Sequence, residues 1–343
     1  MEWLRNAHKY EKLVERVGGM QTMRNKILIT GAGGFIGGHL TNLLKKNNNI
    51  ICLDKKPLSE WYQLHDECEN LINNLMDYSF IKHLLKECKQ VFHLACNMGG
   101  MGFIANNKTD CMLSVIPDAN IIKCSIERNV ERFFFASSAC VYPDYAQGER
   151  LIDLKEDAVY PAMPEDGYGW EKLFVERLLI NAKEEGKLDS RIARYHNVYG
   201  PMGSYNDGRE KAPAAMCRKV AECVLGKHKE IEIWGDGNQT RSFMYIDDCI
   251  EGTMRVFNHH EFDIFNIGSE EQVSINKLLD TVEDVAGKKF PRKNVVGPRG
   301  VLNRNSNNEK VRKILKWEPT IKLRDGIEKT YQWITEKIIR LSI

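Results

Sequence analysis

No apolar run in these 343 residues approaches the ~18–20 residues that a membrane-spanning helix needs. The opening residues, Met-Glu-Trp-Leu-Arg-Asn-Ala-His-Lys, lack the apolar stretch of a secretory signal. An excess of either charge is missing too. Lys and Arg number 49 against 47 Asp and Glu, a net +2, so nothing argues for a nucleic-acid or membrane-surface partner. The ten cysteines, among them Cys52, Cys68, Cys88, Cys96, Cys111, Cys124 and Cys140, form no CxxC pair. A zinc ribbon and a thioredoxin-like motif are therefore not indicated, and no metal is expected. Scattered thiols with no leader point to a reduced, cytoplasmic protein. Internal repeats and low-complexity tracts are also lacking. What is present, 43% hydrophobic residues, suffices for one large or two intimately packed domains.

Residues 1–24 are charged and helical in pattern, with a break at Gly18-Gly19, and read as an N-terminal extension. From 25 to 190, strands alternate with helices. Strands are expected at 26–30, 49–53, 90–94, 132–136 and 191–195, and helices at 36–46, 79–87, 111–128 and 168–185. This alternation predicts an α/β fold, a Rossmann-type doubly wound parallel sheet with helices on both faces. Residues 191–343 are less regular and predict a smaller mixed α/β substrate-binding domain, with segments around 242–268 returning to the first domain. A final helix is expected at 325–340.

Lys26-Ile-Leu-Ile-Thr30 is a short β-branched run, and Gly31-Ala-Gly-Gly34-Phe35-Ile36-Gly37 then opens a helix. Glycines at 31, 34 and 37 allow a tight turn, close approach of backbone to a pyrophosphate, and close helix–strand packing. Alone this pattern is weak. Here it lies between a strand and a helix, and Asp54 ends the next strand, where a ribose hydroxyl is gripped. A carboxylate there repels a 2′-phosphate, so NAD is expected over NADP, with Lys55 and Lys56 keeping NADP as a lesser option. Asp77 stands where a carboxylate can reach adenine, and Leu94 and Ala95 end a strand at the ligand edge of the sheet.

Tyr168 and Lys172 are four apart and share one helix face. Ser138, at the end of a preceding strand, can face them. The trio suits hydride chemistry: the phenol exchanges a hydroxyl proton, the ammonium lowers the phenol pKa, and the serine orients the hydroxyl. Cys140 adds a thiol that a plain sugar dehydrogenase does not need.

With these glycines, Ser138 and Tyr168-x-x-x-Lys172 in order, the chain resembles the extended short-chain dehydrogenase/reductases that act on nucleotide sugars. The resemblance runs from about 25 to 337. It narrows at Asn97-Met-Gly-Gly-Met-Gly-Phe103, Ser137-Ser-Ala-Cys140, Gly208-Arg-Glu-Lys-Ala-Pro-Ala-Ala215, Trp234-Gly-Asp-Gly-Asn-Gln-Thr-Arg-Ser-Phe243 and Gly300-Val-Leu-Asn-Arg304-Asn-Ser306. These segments are similar to epimerases that invert carbons 5 and 3 of a GDP-linked hexose. The resemblance implies transient oxidation at sugar carbon 4, which acidifies the neighbouring C–H bonds, with Cys140 as base and Lys211 as acid. Arg209, near Lys211, would lower its pKa. Gly99, Gly100 and Met101 would cover the sugar, and Asn197 would bind a hydroxyl. Arg241 and Arg304 would take the diphosphate, whose paired oxygens suit a guanidinium fork, with Lys219 assisting and Gln239 nearby. A homodimer is implied through helices 111–128 and 168–185, with Cys111, Leu113, Val115, Ile116, Ile121 and Ile122 as apolar surface. Two other readings stay open: an enzyme acting on another nucleotide sugar, such as a GDP-heptose, and a carbon-4 epimerase or dehydrogenase. A 4,6-dehydratase is disfavoured, since it needs an Asp-Glu pair where Ala139 and Cys140 stand.

Overall fold

The computed structural model describes residues 26–149, 154–298 and 300–341; the extension expected at 1–24 lies outside them. The first half runs β1 (Lys26–Thr30), α1 (Phe35–Leu44), β2 (Asn49–Asp54), β3 (Glu69–Ile72), α2 (Tyr78–Leu84), β4 (Gln90–His93), α3 (Met101–Asn106), α4 (Lys108–Met112), α5 (Val115–Glu127), β5 (Arg132–Ser138), α6 (Asp166–Glu184) and β6 (Ser190–Tyr195). The second half adds β7 (Val198–Tyr199), α7 (Ala212–Val224), β8 (Ile231–Trp234), β9 (Thr240–Ser242), β10 (Met244–Tyr245), α8 (Ile246–Asn258), β11 (Ile264–Ile267), β12 (Gln272–Ser274), α9 (Ile275–Ala286), β13 (Arg292–Val295), β14 (Asn303–Arg304), α10 (Glu309–Leu315) and α11 (Leu323–Arg340).

Seven strands form one parallel sheet in the order β11-β6-β5-β4-β1-β2-β3. The order reverses between β1 and β4, and ligands of such sheets bind outside the carboxyl ends at that switch point. Side chains alternate across the sheet. Ile27, Ile29, Cys52 and Phe134 pack with Leu40 and Leu44 of α1 and Cys249 of α8. Leu28, Ile51, Phe133 and Phe135 pack on the other face with Ile81 of α2, Ile121 and Ile122 of α5, and Val175 and Leu179 of α6. Burial on both faces is why these strands read as continuous apolar runs. Among the described residues no helix is long and apolar enough to cross a membrane.

Two features depart from the sequence reading. Strand β3, Glu69-Asn-Leu-Ile72, is a short, half-polar edge strand without a β-branched run. The helix expected over 111–128 is two, α4 and α5, separated at Leu113–Ser114. Pro117 lies in the first turn of α5, where its missing N–H is tolerated; in a continuous helix it would delete the bond to the Leu113 carbonyl. The split also turns Cys111, Ile121 and Ile122 into the protomer's own core, at most 1% exposed, so they are not available as subunit surface. Leu113 and Ile116 are exposed.

Beyond β6 the described residues build three small sheets. In one of them β14 pairs with β9 so that Arg304 sits beside Arg241. Helices α7, α9 and α11 pack on one another behind these strands.

Candidate active site

Gly31 follows β1 at φ +71, a conformation that side chains rarely adopt. A Cβ there would lie 2.8 Å from Ala95 N, and one on Gly37 would lie 2.2 Å from Gly31 O. Turn, helix and the end of β4 therefore close on one another. The N-terminus of α1 begins at Gly34 with no side-chain cap, which suits a pyrophosphate. Phe35 and Ile36 follow it half-buried. Asp54 ends β2, its Oδ1 accepting from Lys56 N at 3.1 Å. Leu94 N donates to Thr30 O at 3.2 Å, and Ala95 N to Thr30 Oγ1 at 3.4 Å. A close-packed glycine turn, an uncapped helix start and a strand-end carboxylate fit NAD. Asp77 is exposed and caps α2, accepting from Phe80 N at 3.0 Å. Helix capping is thus a role the sequence reading did not assign to it.

A Cβ on Gly169 would stand 2.2 Å from Cys140 O, so α6 lies backbone-to-backbone against the turn after β5. That contact brings Tyr168, Ser138 and Cys140 together. Behind them, Glu176 of α6 accepts from Ser137 Oγ at 2.5 Å and from Arg194 at 2.9 and 2.7 Å, tying the helix to β5 and β6. Ser138 Oγ accepts from Cys140 N at 3.2 Å and acts on the Tyr168 phenol to favour its ionised form. Burial, aided by Cys96, Cys140 and Glu171, drives the Tyr168 pKa well up, while Ser138 opposes that. Lys172 is buried, its Nζ 5.7 Å from the Tyr168 ring centroid and 4.6 Å from that of Phe135. Burial works against its charge, but Glu171, 3.3 Å away, together with Cys96 and Asp118, overrides that and raises its pKa. Lys172 is thereby favoured in its charged form.

Cys140 meets Arg304 from β14, whose Nη1 donates to Sγ at 3.4 Å. The same guanidinium donates through Nε to Gln147 Oε1 at 2.5 Å and through Nη2 to Glu165 Oε2 at 2.5 Å. Burial raises the Cys140 pKa and Arg304 pulls it back, with a net rise. Lys211 caps α7, and burial lowers its pKa, countered by Cys140 and Cys96. A thiol pushed up and an amine pushed down converge, which suits a pair that exchanges protons. The charge that adds to burial in lowering Lys211 is Arg304. Arg209, expected in that role, instead lies 3.8 Å over the Phe103 ring and donates to Met98 O at 2.9 Å and Asn97 Oδ1 at 3.2 Å.

The Gly99–Met101 loop lies against Arg209–Lys211. Gly100 N donates to Arg209 O at 2.8 Å, and a Cβ on Gly100 would fall 2.3 Å from Glu210 O. Arg241 donates to Thr240 O at 2.8 Å and Val301 O at 2.6 Å; burial and the charge of Arg304 bring its pKa down to about 10. Arg304, expected on the diphosphate, is already engaged by Cys140, Gln147 and Glu165, so its place is at the thiol. Asn197, at φ +42, donates to Ser242 O at 3.1 Å. Gln239 donates to Trp234 O at 3.4 Å, and Lys219 to Glu232 O at 2.6 Å. Sequence reasoning missed Glu165, Gln147, Asp118 and Glu171, and placed His93 only at the strand end that faces the ligand edge. Of the missed residues only Glu171 carried a signal: three residues after Tyr168, it shares that helix face.

The fold and this tyrosine–lysine site define a class, and comparison agrees. The model of the NAD dependent epimerase/dehydratase family matches residues 27–268, and the chain belongs to that family. Its homologues include GDP-mannose 3,5-epimerase 1 of Oryza sativa subsp. indica, 40% identical over 320 residues, covering 91% of this chain and 82% of the relative. The GDP-mannose 3,5-epimerase of Arabidopsis thaliana is 39% identical over 340 residues, covering 97% and 88%. A UDP-glucuronic acid 4-epimerase from Bacillus cereus, solved with UDP-glucuronic acid and NAD, superposes with a TM-score of 0.75 at 26% identity, covering 91% of this chain and 99% of that one. The protein is an NAD-dependent epimerase.

Proposed function

We propose that this epimerase acts on GDP-mannose, inverting carbon 5 and then carbon 3. The observation that carries this reading is the Cys140 thiol, hydrogen-bonded by Arg304 beside Tyr168 and electrostatically coupled to Lys211. About 40% identity to the two GDP-mannose 3,5-epimerases supports the substrate.

NAD, when bound, supplies reversible hydride transfer at sugar carbon 4. Tyr168, as phenolate, takes the proton of the carbon-4 hydroxyl, with Ser138 orienting that hydroxyl and Lys172 stabilising the phenolate. The resulting ketone acidifies the hydrogens on carbons 5 and 3. Cys140, as thiolate held by Arg304, takes the proton from one face; Lys211, as ammonium, delivers one to the other. Between inversions the Cys140 thiol gives up its proton and the Lys211 amine regains one by exchange with solvent, and Tyr168 returns its proton to oxygen 4 at the end, so the cycle is proton-neutral. Arg241 holds the diphosphate with Lys219 and Gln239, Asn197 binds a sugar hydroxyl, and the Gly99-Gly100-Met101 loop covers the ring. Asp54 and Asp77 hold the ribose and adenine of the cofactor. Two copies pair through the exposed Leu113 just before α5, Ile116 of α5, and Trp170 and Phe174 of α6, in a cytoplasmic homodimer.

The test is incubation with GDP-mannose in deuterated water. Deuterium is expected at carbon 5 and partly at carbon 3, and Cys140→Ala and Lys211→Ala each lose epimerisation on the order of 100-fold while retaining NAD. Normal epimerisation by Cys140→Ala overturns the assignment. Inversion of carbon 4 without solvent deuterium would make the protein a carbon-4 epimerase.

A further inference from the structure

Behind Tyr168 and Lys172 lies a buried acid cluster that the proposed chemistry does not use. Glu171 precedes Lys172 on α6, and Asp118 projects from α5; each is 1% exposed. Their carboxyl groups come within hydrogen-bonding range of each other. Asp118 Oδ1 meets His93 Nε2 at 2.9 Å. The other three carboxyl oxygens, Asp118 Oδ2 and both of Glu171, are buried without a hydrogen-bond donor, although Lys172 Nζ lies 3.3 Å from Glu171 Oε1.

Two carboxylates this close repel, and buried acceptors without donors are costly. The remaining neighbours do not relieve the conflict. From α6 the cluster is faced by Lys172 and Tyr168, from β4 by His93, from the loop after β4 by Cys96, and from α4 by Cys111. Burial, helped by Lys172, brings His93 down to about 3, so its ring is neutral, with Nδ1 2.7 Å from Thr30 Oγ1. Burial raises both thiols, which stay neutral. Two carboxyls therefore face one ammonium. A single added proton makes one carboxyl a donor to the other and brings the cluster to neutrality, the state a buried site favours.

We propose that Asp118 and Glu171 hold one proton between them at neutral pH, and that the single negative charge left on the pair fixes Lys172 beneath Tyr168. Glu171 and Asp118 are then positioning residues for proton exchange at sugar oxygen 4. This rests on the roles given above to Tyr168 and Lys172. Its pH dependence has a definite sign. Once the shared proton leaves, a second negative charge faces Lys172 and opposes ionisation of Tyr168, so kcat falls on the alkaline side.

Infrared spectroscopy of the NAD-loaded protein tests it. Wild type at pH 7 is expected to show the C=O stretch of a protonated carboxyl, which disappears on alkaline titration. Glu171→Gln and Asp118→Asn lose the band, since the remaining carboxylate pairs with Lys172, and Glu171→Asp keeps it. With GDP-mannose, Glu171→Gln lowers kcat roughly tenfold with KM within about twofold, lacks the alkaline fall, and is rescued by Glu171→Asp. Absence of the band from wild type, its survival in both single variants, or an unchanged alkaline limb in Glu171→Gln overturns the proposal. The wild-type spectrum needs no variant to fold. It also reads the proton independently of turnover, so a present band alongside an active Tyr168→Phe enzyme would sink the reading of the site rather than the shared proton.

Discussion

Two charge clusters flank the reacting position, and they are unbalanced in opposite directions. Beneath Tyr168, two carboxyls, Asp118 and Glu171, face one cation, Lys172. Beside Cys140, two guanidiniums, Arg304 and Arg241, share one carboxylate, Glu165. The excess of acid keeps a lysine charged where burial would neutralise it. The excess of base does the converse for a thiol, opposing the rise that burial imposes. Local charge surplus in a buried site can thus hold a cation charged, and can offset part of the burial that works against a thiolate.

The acid-rich side breaks most completely at Tyr168. Tyr168→Phe is expected to lower turnover of GDP-mannose by a factor on the order of 1,000 or more, because no inversion starts without the ketone. Circular dichroism and retained NAD absorbance after desalting should match wild type. Next comes the base-rich side. Arg304→Gln removes the charge at the thiol, so alkylation of the Cys140 peptide, followed by mass spectrometry, should reach its half-maximal rate at higher pH. Epimerisation should fall roughly 10–100-fold. The variant also strands Glu165, a loss of about 3–5 kcal/mol for a broken buried pair, so Arg304→Lys is the companion that keeps the charge and loses the fork. Unchanged alkylation in both would mean the guanidinium does not tune the thiol. The smallest effect sets the two sides against each other in acid. His93 on the acid-rich side and His196 behind Arg304 and Arg194 are both brought down to about 3, by burial first. A histidine whose folded pKa is depressed gives stability that is intact above its unfolded value and lost as pH falls towards the folded one. Tm should decline below about pH 6.5, and His93→Asn or His196→Asn should each remove part of that slope, His39, His65 and His259 being lowered by burial as well. A flat Tm between pH 7 and 5 would contradict both.

Much of this molecule is written locally. The glycine turn, the run Phe133-Phe-Phe135 into Ser138, and the Tyr168–Lys172 spacing declare themselves within a few residues, because backbone geometry and helix periodicity are local properties. The partners that tune them are not. Gln147 and Glu165 hold Arg304 from far along the chain, and His93 and Asp118 arrive on different elements, so no spacing rule joins them. Arg304 shows the consequence. Its residue type pointed to phosphate, but its register beside Arg241 and its reach to Cys140 depend on β14 pairing with β9. Likewise Cys111, Ile121 and Ile122 looked like surface only while 111–128 was taken as one straight helix.

The position of Arg304 also sets an order of assembly. All seven strands of the main sheet are complete by Ile267, and Tyr168, Lys172, Cys140 and Lys211 all precede it. The guanidinium that holds the thiol is synthesised later, on β14. A chain leaving the ribosome therefore carries its whole cofactor sheet before the guanidinium that contacts Cys140 exists, and a product cut short ahead of β14 lacks that contact.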